Sequence, residues 1–323
     1  MDGCEFYSLP AQSQLPFTLT QHIPQRNYAR KNIGYLLAMA GGSDVIIETD
    51  DDNLPRPEFW LPRREVHEAE CLNESGWVNI YKYFSEAAVW PRGYPLELVG
   101  NTVIPTPVGV SVRCPIQQGL ADGNPDVDAV YRLILPLPLR FHRRRIALGP
   151  NSWCPFNSQN TTFFKAAFEL MYLPSLCSMR MTDIWRGFIA QRIAWTNGWS
   201  ILYHEATVFQ ERNEHNLMQD FELELPGYLN NFKIVENLKC VPLRSGIEHI
   251  AENLRLCYGE LVRSEIIPDG ELTILDAWLQ DVRAALAGQT GGLGALAAAL
   301  VNEAWVSPTE PQGVTVDGSG WGG

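Results

Sequence analysis

Cations are scarce in this chain of 323 residues: 25 lysines and arginines face 37 aspartates and glutamates, a net charge of −12. So acidic a chain lacks the basic face that phosphate-backbone binding needs, which excludes a general nucleic-acid binder. Long apolar runs are missing too. None approaches the roughly 18 residues of a membrane span, and Met1 to Phe17 has neither the basic start nor the apolar centre of a secretory leader. The seven cysteines (Cys4, Cys71, Cys114, Cys154, Cys177, Cys240 and Cys257) are odd in number and form no CxxC pair. Neither a disulfide framework nor a zinc ribbon is indicated. There is no internal repeat. The motifs G-x-x-x-x-G-K-(S/T), G-x-S-x-G and H-E-x-x-H are absent, so P-loop, α/β-hydrolase and zincin chemistries lose their main support. What is present, 46% hydrophobic and 11% aromatic residues, suffices for a sizeable core in one large domain or two small ones. The chain reads as a soluble globular protein of a reducing compartment.

The stretch Tyr28 to Ala40 predicts a helix with an apolar stripe at Ile33, Leu36, Leu37 and Ala40, stopped by Gly41-Gly42. Asp44 to Thr49 predicts a short buried strand, which Pro55 and Pro57 keep from continuing. Helix, strand and polar terminus together resemble half of a parallel α/β sheet, where ligands sit at the carboxyl ends of strands. Between Trp60 and Leu148 the short apolar runs 78–83, 102–112 and 129–135 suggest mixed strands and loops. The stretch Gln117 to Asp128 reads as a long, functional connection. Further on, Thr161 to Met171 reads as a buried helix, Thr182 to Trp195 as a helix capped at Thr182 or Asp183, and Ile201 to Thr207 as a strand. Residues 236–286 carry helical periodicity, with Ile247, Ile250, Leu254 and Leu261 on one side. A Gly-rich tail follows, expected to be unstructured after Trp305.

Three consecutive aspartates, Asp50 to Asp52, fall at the tip of that first strand. Their mutual repulsion is costly unless a cation compensates it. Mg²⁺ or Mn²⁺ takes carboxylate oxygens and bridges to substrate phosphates, so a strand ending in D-x-D suits a nucleoside-diphosphate group. An acidic surface turn helped by Asn53 and Pro55 is equally open. Arg30-Lys31, on the preceding helix, would meet a nucleotide or lie on a solvated face. Trp90 to Pro95 (WPRGYP) suits a stacking loop or an ordinary packed turn. The acidic stretch from Gln117 to Asp128 lacks the spacing of an EF-hand. Asp183 begins a helix, where it would cap or face a cleft. His204, after an apolar strand, reads as a third metal ligand or a structural histidine. Arg143-Arg144-Arg145 reads as a solvated face.

Taken in order and with their spacing, RKNIGYLLAMAGGSDVIIETDDDN, VWPRGYPLE, QQGLADGNPDVDAVYRL, PFNSQNTTF and DIWRGFIAQR resemble the STELLO glycosyltransferase family, itself distantly similar to the reversibly glycosylated polypeptides (UDP-arabinopyranose mutases). The resemblance runs from about residue 4 to about 225. It implies a GT-A-like, Rossmann-like α/β fold over residues 1–225, a helical extension over 226–288 and a low-complexity tail over 289–323. It implies a nucleotide-sugar donor, a glycan or other hydroxyl acceptor, and Mn²⁺ or Mg²⁺. By position, Asp50, Asp51 and Asp52 match the metal and diphosphate positions, with Asp50 and Asp52 as metal ligands. Arg30 and Lys31 fall near the nucleotide. His204 matches a strand-end position that completes a metal site. Asp183 is the expected general base, with Trp185 and Arg186 beside it facing substrate, and Trp90, Arg92, Gln118, Asp126 and Asp128 line the sugar or acceptor cleft.

One departure accompanies the resemblance. Only about 27 residues precede the helix at Tyr28, and Cys4 to Leu9 reads as a single strand. The family has more chain there, so the first βαβ unit is expected to be truncated. Either the chain begins late or the first strand is lost, which would compromise donor binding. The expected location is cytoplasmic for the chain as it stands, or the Golgi membrane if an N-terminal anchor precedes it. The expected function is metal-dependent sugar transfer of the kind polysaccharide biosynthesis uses. The alternatives are a nucleotide-sugar mutase and a non-catalytic scaffold for a polysaccharide synthase.

Overall fold

The structure, a computed structural model, describes residues 5–101, 104–211 and 216–288. The chain divides into Met1–Pro16 with Gly292–Gly323, and Phe17–Gly291. Within the first, residues 5–8 form no strand, contrary to expectation, and Ser8 caps helix α1 (Leu9–Ser13). Cys4, His215 and the tail from residue 289 lie outside the described residues.

In Phe17–Gly291, a 3-10 turn over Tyr28–Arg30, capped by Asn27, leads into α2 (Lys31–Ala40). The strands are β1 (Val45–Thr49), β2 (Asn53–Pro55), β3 (Val66–Leu72), β4 (Gly76–Trp77), β5 (Val108–Arg113), β6 (Ile116–Gly123), β7 (Arg145–Leu148), β8 (Ser152–Trp153), β9 (Asn160–Phe164) and β10 (Ile201–Gln210). One sheet has the order β1-β9-β6-β10-β7-β3-β5, with β2 paired to the far end of β10; β4 and β8 pair apart from it. It is mixed: β10 runs parallel to β6 and β3 to β7, and the other neighbours are antiparallel. The remaining helices are α3 (Ala129–Ile134), α4 (Thr182–Thr196), α5 (Leu217–Cys240), α6 (Ile250–Arg263) and α7 (Gly270–Leu286). None of the described helices is long and apolar enough to cross a membrane. Helix α5 passes unbroken through residue 225.

Several expectations are corrected by tertiary context. Strand β1 forms as expected, but its partner among the described residues is the antiparallel β9, not a parallel neighbour. The polar stretch read as a loop from Gln117 is the buried strand β6. Its amides find partners inside: Gln118 Oε1 accepts from the Asn157 N–H (2.8 Å) and the Thr161 hydroxyl (3.1 Å). Buried polar groups that are hydrogen-bonded in this way lose little by leaving water. Thr161–Met171, read as a helix, is instead β9 followed by a 3-10 segment, Lys165–Met171; the β-branched and aromatic run TTFF favours the strand. Residues 129–134, read among strands, form α3, because Asp128 accepts from the Tyr131 N–H (2.7 Å) and caps it. Helix α4 is buried on nearly every face, its polar Asp183, Arg186 and Gln191 included, so these side chains must find partners inside the protein.

Candidate active site

Strand β1 delivers the acidic turn. Asn53 closes it, donating to Thr49 Oγ1 (2.8 Å) and to the Gln159 carbonyl (2.6 Å). The cation that the triple aspartate demands is partly supplied by the protein itself: Lys31, at the start of α2, donates to Asp50 Oδ1 at 2.7 Å. Burial pulls the Lys31 ammonium down, but Asp50, Tyr35 and Glu48 outweigh it and its pKa is raised. Tyr28 also donates to Asp50 Oδ1 (3.0 Å) and lies 2.5 Å from Ser158 Oγ. Asp52 Oδ1 accepts from Gln210 Nε2 (2.9 Å) at the end of β10, and Gln159 orients that amide (2.8 Å). Asp51 is exposed.

A second wall is built around Arg92. Its guanidinium donates to Asp126 (Oδ1 2.8 Å, Oδ2 2.9 Å) and to Asp183 (Oδ1 3.1 Å, Oδ2 2.8 Å), and reaches the Arg180 carbonyl. All three side chains are buried. Asp183 also accepts from the Ser158 N–H (3.1 Å) and hydroxyl (3.2 Å). Burial pushes the Asp183 carboxyl up, but Arg92 overrides it with help from Arg186 and the Ser158 amide. The net effect is to lower it to about 2. Gly93 (φ +86°) permits the tight turn that aims Arg92 inward; a Cβ there would lie 2.6 Å from Ile184 Cγ2. Gly187, on α4, does similar work. A Cβ there would sit 2.7 Å from the Phe156 carbonyl, in the loop that carries Ser158. Gly187→Ala is therefore expected to destabilise the protein by about 1–3 kcal/mol, read as a lowered midpoint in thermal unfolding.

These groups line one cavity of about 250 Å³, with Asp50, Asp51, Asp52 and Tyr28 on one part of its wall and Arg92, Asp126 and Asp183 on another. Arg132 and Arg180 complete it. Arg132 is anchored on the Pro125 carbonyl (2.9 Å), and Arg180 on the buried Glu224 (2.7 Å). Sequence reasoning found Asp50, Asp51, Asp52, Arg92, Asp126 and Asp183, and Lys31 braces Asp50. It missed Tyr28, Gln159, Arg132, Arg180, Met179 and Gln210. Gln159 and Arg132 lie within the motifs PFNSQNTTF and DAVYRL and were findable there; nothing in the pattern marks Gln210.

The other expected site residues do not line this cavity. Arg30 donates to the Ile23 and Pro24 carbonyls (3.2 and 3.4 Å). Trp90 donates to Asp128 Oδ2 (2.7 Å), and that carboxyl, pushed up to about 6 by burial, is the α3 cap. Gln118 is held inside the sheet as described. Trp185 donates to Asn231 (2.9 Å), and Arg186 is locked to Glu48 (2.6 and 2.9 Å) beneath the acidic turn. His204 lines a separate cavity and shares none with the aspartates. Among the described residues no group of three or more His, Cys, Asp or Glu side chains is placed to hold a metal ion.

A mixed α/β sheet with carboxylates at a strand end, opposed by arginines across one cavity, is consistent with a Rossmann-like glycosyltransferase fold. Residues 180–289 match the family model of the STELLO glycosyltransferases. The chain is 29% identical over 305 residues to probable glycosyltransferase STELLO2 of Arabidopsis thaliana, and 28% over 307 residues to probable glycosyltransferase STELLO1 of the same plant. Each match covers 87% of this chain and 39% of the relative, so the chain spans about two fifths of the length of these proteins. The resemblance to STELLO glycosyltransferases thus extends over most of the chain.

Proposed function

We propose that this chain carries the donor site of a glycosyltransferase of GT-A type, which moves a sugar from a nucleoside diphosphate to a hydroxyl of a glycan or other acceptor. The observation that carries the reading is the single cavity in which three aspartates at a strand end face Arg92, Arg132 and Arg180. Guanidinium groups fixed by buried carboxylates (Arg92, Arg180) or by a backbone carbonyl (Arg132) are preorganised to receive the charge that develops on a departing diphosphate.

The donor set around Asp50–Asp52 suits a hard divalent ion. It consists of carboxylate oxygens, and Asp52 Oδ2, Asp50 Oδ2 and both oxygens of the exposed Asp51 have no protein partner among the described residues. Mg²⁺ and Mn²⁺ commonly use one or two carboxylates plus substrate phosphates and water. In this reading Asp50 and Asp52 hold the ion without His204. When bound, the ion would neutralise charge on the diphosphate. Lys31 and Gln210 hold the two carboxylates in place, and Arg132 and Arg180 contact the donor. Asp183 is reassigned from base to positioning residue: a carboxylate held at about 2 by Arg92 is a weak proton acceptor near neutral pH.

Calorimetry with UDP- and GDP-sugars in the presence and absence of Mn²⁺ tests the reading. Mn²⁺-dependent binding is expected, with Asp52→Asn weakening it at least roughly tenfold through loss of a charged ligand and leaving the melting temperature unchanged. Absence of Mn²⁺-dependent binding of every such sugar to the unmodified protein would sink it. Interconversion of sugar ring forms without an acceptor would instead identify a mutase.

A further inference from the structure

A larger cavity, about 400 Å³, shares no lining residue with the first. Its floor is Leu202, His204 and Thr207 of β10 with Gln117 of β6, and Arg63 and Arg64 form part of its wall. The register shift in β10 between His204 and Val208 turns Thr207 to the same side as Leu202 and His204, which strict alternation would prevent.

His204 is 7% exposed. Its Nδ1 lies 2.9 Å from the Glu205 carbonyl and donates to it, so Nε2 carries a free lone pair. Nε2 has no protein partner among the described residues although the ring lines the cavity. Burial and then the charge of Arg63 lower the imidazole to about 4, so this acceptor stays unprotonated at neutral pH. Gln117 is equally buried. It commits its amide N–H groups to the carbonyls of Arg64 (2.6 Å) and Cys114 (2.9 Å), and its Oε1, which also faces the His67 imidazole on the cavity wall, keeps a lone pair as a second acceptor.

The cations complement these acceptors. Arg63 is fixed by the carbonyls of Glu58, Phe59 and Leu61 (3.3, 3.0 and 3.1 Å) and the Thr162 hydroxyl (3.4 Å); it feels the charge of Glu205 but has no carboxylate within ion-pairing distance among the described residues. Arg64 is exposed, and its side chain makes no bond within the described protein. Of the acidic groups nearby, Glu205 faces Arg145 (3.5 Å) and Glu58 faces Arg143 (2.7 Å). Glu68, exposed at the rim, has no ion pair among the described residues.

We propose that this cavity is a second binding site, for a sugar that carries an anionic group. His204 Nε2 and Gln117 Oε1 accept hydrogen bonds from its hydroxyls, Arg63 and Arg64 receive its phosphate or carboxylate, and Leu202 offers an apolar contact to its C–H face. The site is independent of the donor site proposed above. The volume is in the range of small-molecule sites.

Binding of glucose 1-phosphate, glucuronate and inorganic phosphate, each titrated into the full chain, tests this, with the imidazole resonances followed by NMR. One of the two sugars should bind saturably and shift the His204 signals, and the tighter one says whether the anion is a phosphate or a carboxylate. Arg64→Ala should weaken that binding roughly tenfold by removing a charge-assisted contact, whereas Asp52→Asn, in the other cavity, should leave it unchanged. The proposal fails if neither sugar saturates, or if Asp52→Asn rather than Arg64→Ala abolishes binding. It also fails if inorganic phosphate binds as tightly as the sugar phosphate, since hydroxyl recognition would then contribute nothing.

Discussion

Glu48→Leu is expected to lower stability by about 3–5 kcal/mol, because it strands a buried arginine. Glu48 and Arg186 have side chains 1% exposed each, joined by two hydrogen bonds of 2.6 and 2.9 Å. Glu48 is the one carboxylate that Arg186 hydrogen-bonds among the described residues, Asp183 acting on it only at longer range. It also donates to the Asn157 carbonyl (3.2 Å), lies over the rings of Phe156 and Phe163, and its Nε has no partner. Its pKa is raised: burial pulls it down, and Glu48 more than compensates. Without Glu48 burial pulls it down, yet a guanidinium does not lose its proton in a protein. Tyr35, which also donates to Glu48, would lose its acceptor. Urea unfolding measures the loss, and Glu48→Leu combined with Arg186→Met should recover most of it, since replacing a whole buried pair with apolar residues is often neutral. A single variant within about 1 kcal/mol of the parent would show that the pair is worth no more than a surface salt bridge.

The second large effect is expected at Arg92. Arg92→Met leaves Asp126 and Asp183 buried without their shared cation, again a loss of about 3–5 kcal/mol. Asp183 also carries a pH signature. Its carboxyl is held to about 2 in the folded protein, below the ordinary value near 4. The resulting stability is fully present above the unfolded pKa and disappears as pH falls from about 4 through 2. In Arg92→Met the largest lowering influence is lost, and burial, which raises the carboxyl, is opposed only by Arg186 and the Ser158 amide. The variant should gain stability relative to the parent as pH is lowered through that window. Urea unfolding at pH 7 and at pH 3 gives both numbers, and an unchanged difference between parent and variant at the two values would refute the coupling. Arg92→Met with Asp126→Asn and Asp183→Asn should recover part of the stability at pH 7. It should not recover nucleotide-sugar binding if the guanidinium contacts the donor.

Both variants lose stability, but Arg186 lies beneath the acidic turn whereas Arg92 lines the cavity, so only Arg92→Met also alters the wall of the proposed donor site. The same short motif, Asp183 to Gly187, supplies both networks. Asp183 faces the cavity and Arg186 the interior, three residues further along one helix, so they hold the adjacent residues Ser158 and Asn157 of one loop. That loop in turn touches Tyr28, the partner of Asp50.

The sequence by itself determined the pieces whose signal is local. The stripe of Ile33, Leu36 and Leu37 followed by Gly41-Gly42 makes α2, the run VIIET makes β1, and the charge density of three adjacent aspartates marks a candidate site that lines a cavity. Periodicity failed where burial is decided by distant partners. Gln117, Gln118 and Gly119 have loop chemistry, yet they lie in a central strand because Asn157, Thr161 and backbone carbonyls from elsewhere satisfy the amides. His204 read as a third metal ligand or a structural histidine because a strand end was the only context its neighbours provide; the direction in which a strand side chain points depends on the pairing of β10 and its register shift. Only the tertiary structure decided that Lys31 compensates Asp50, that Arg92 joins two carboxylates 34 and 91 residues away, and that Arg186 is a buried strut. Charge identifies which residues need partners. Which partners they find is settled by the packing of segments remote in sequence, because Coulomb and hydrogen-bond energies depend on distance and desolvation rather than on order along the chain.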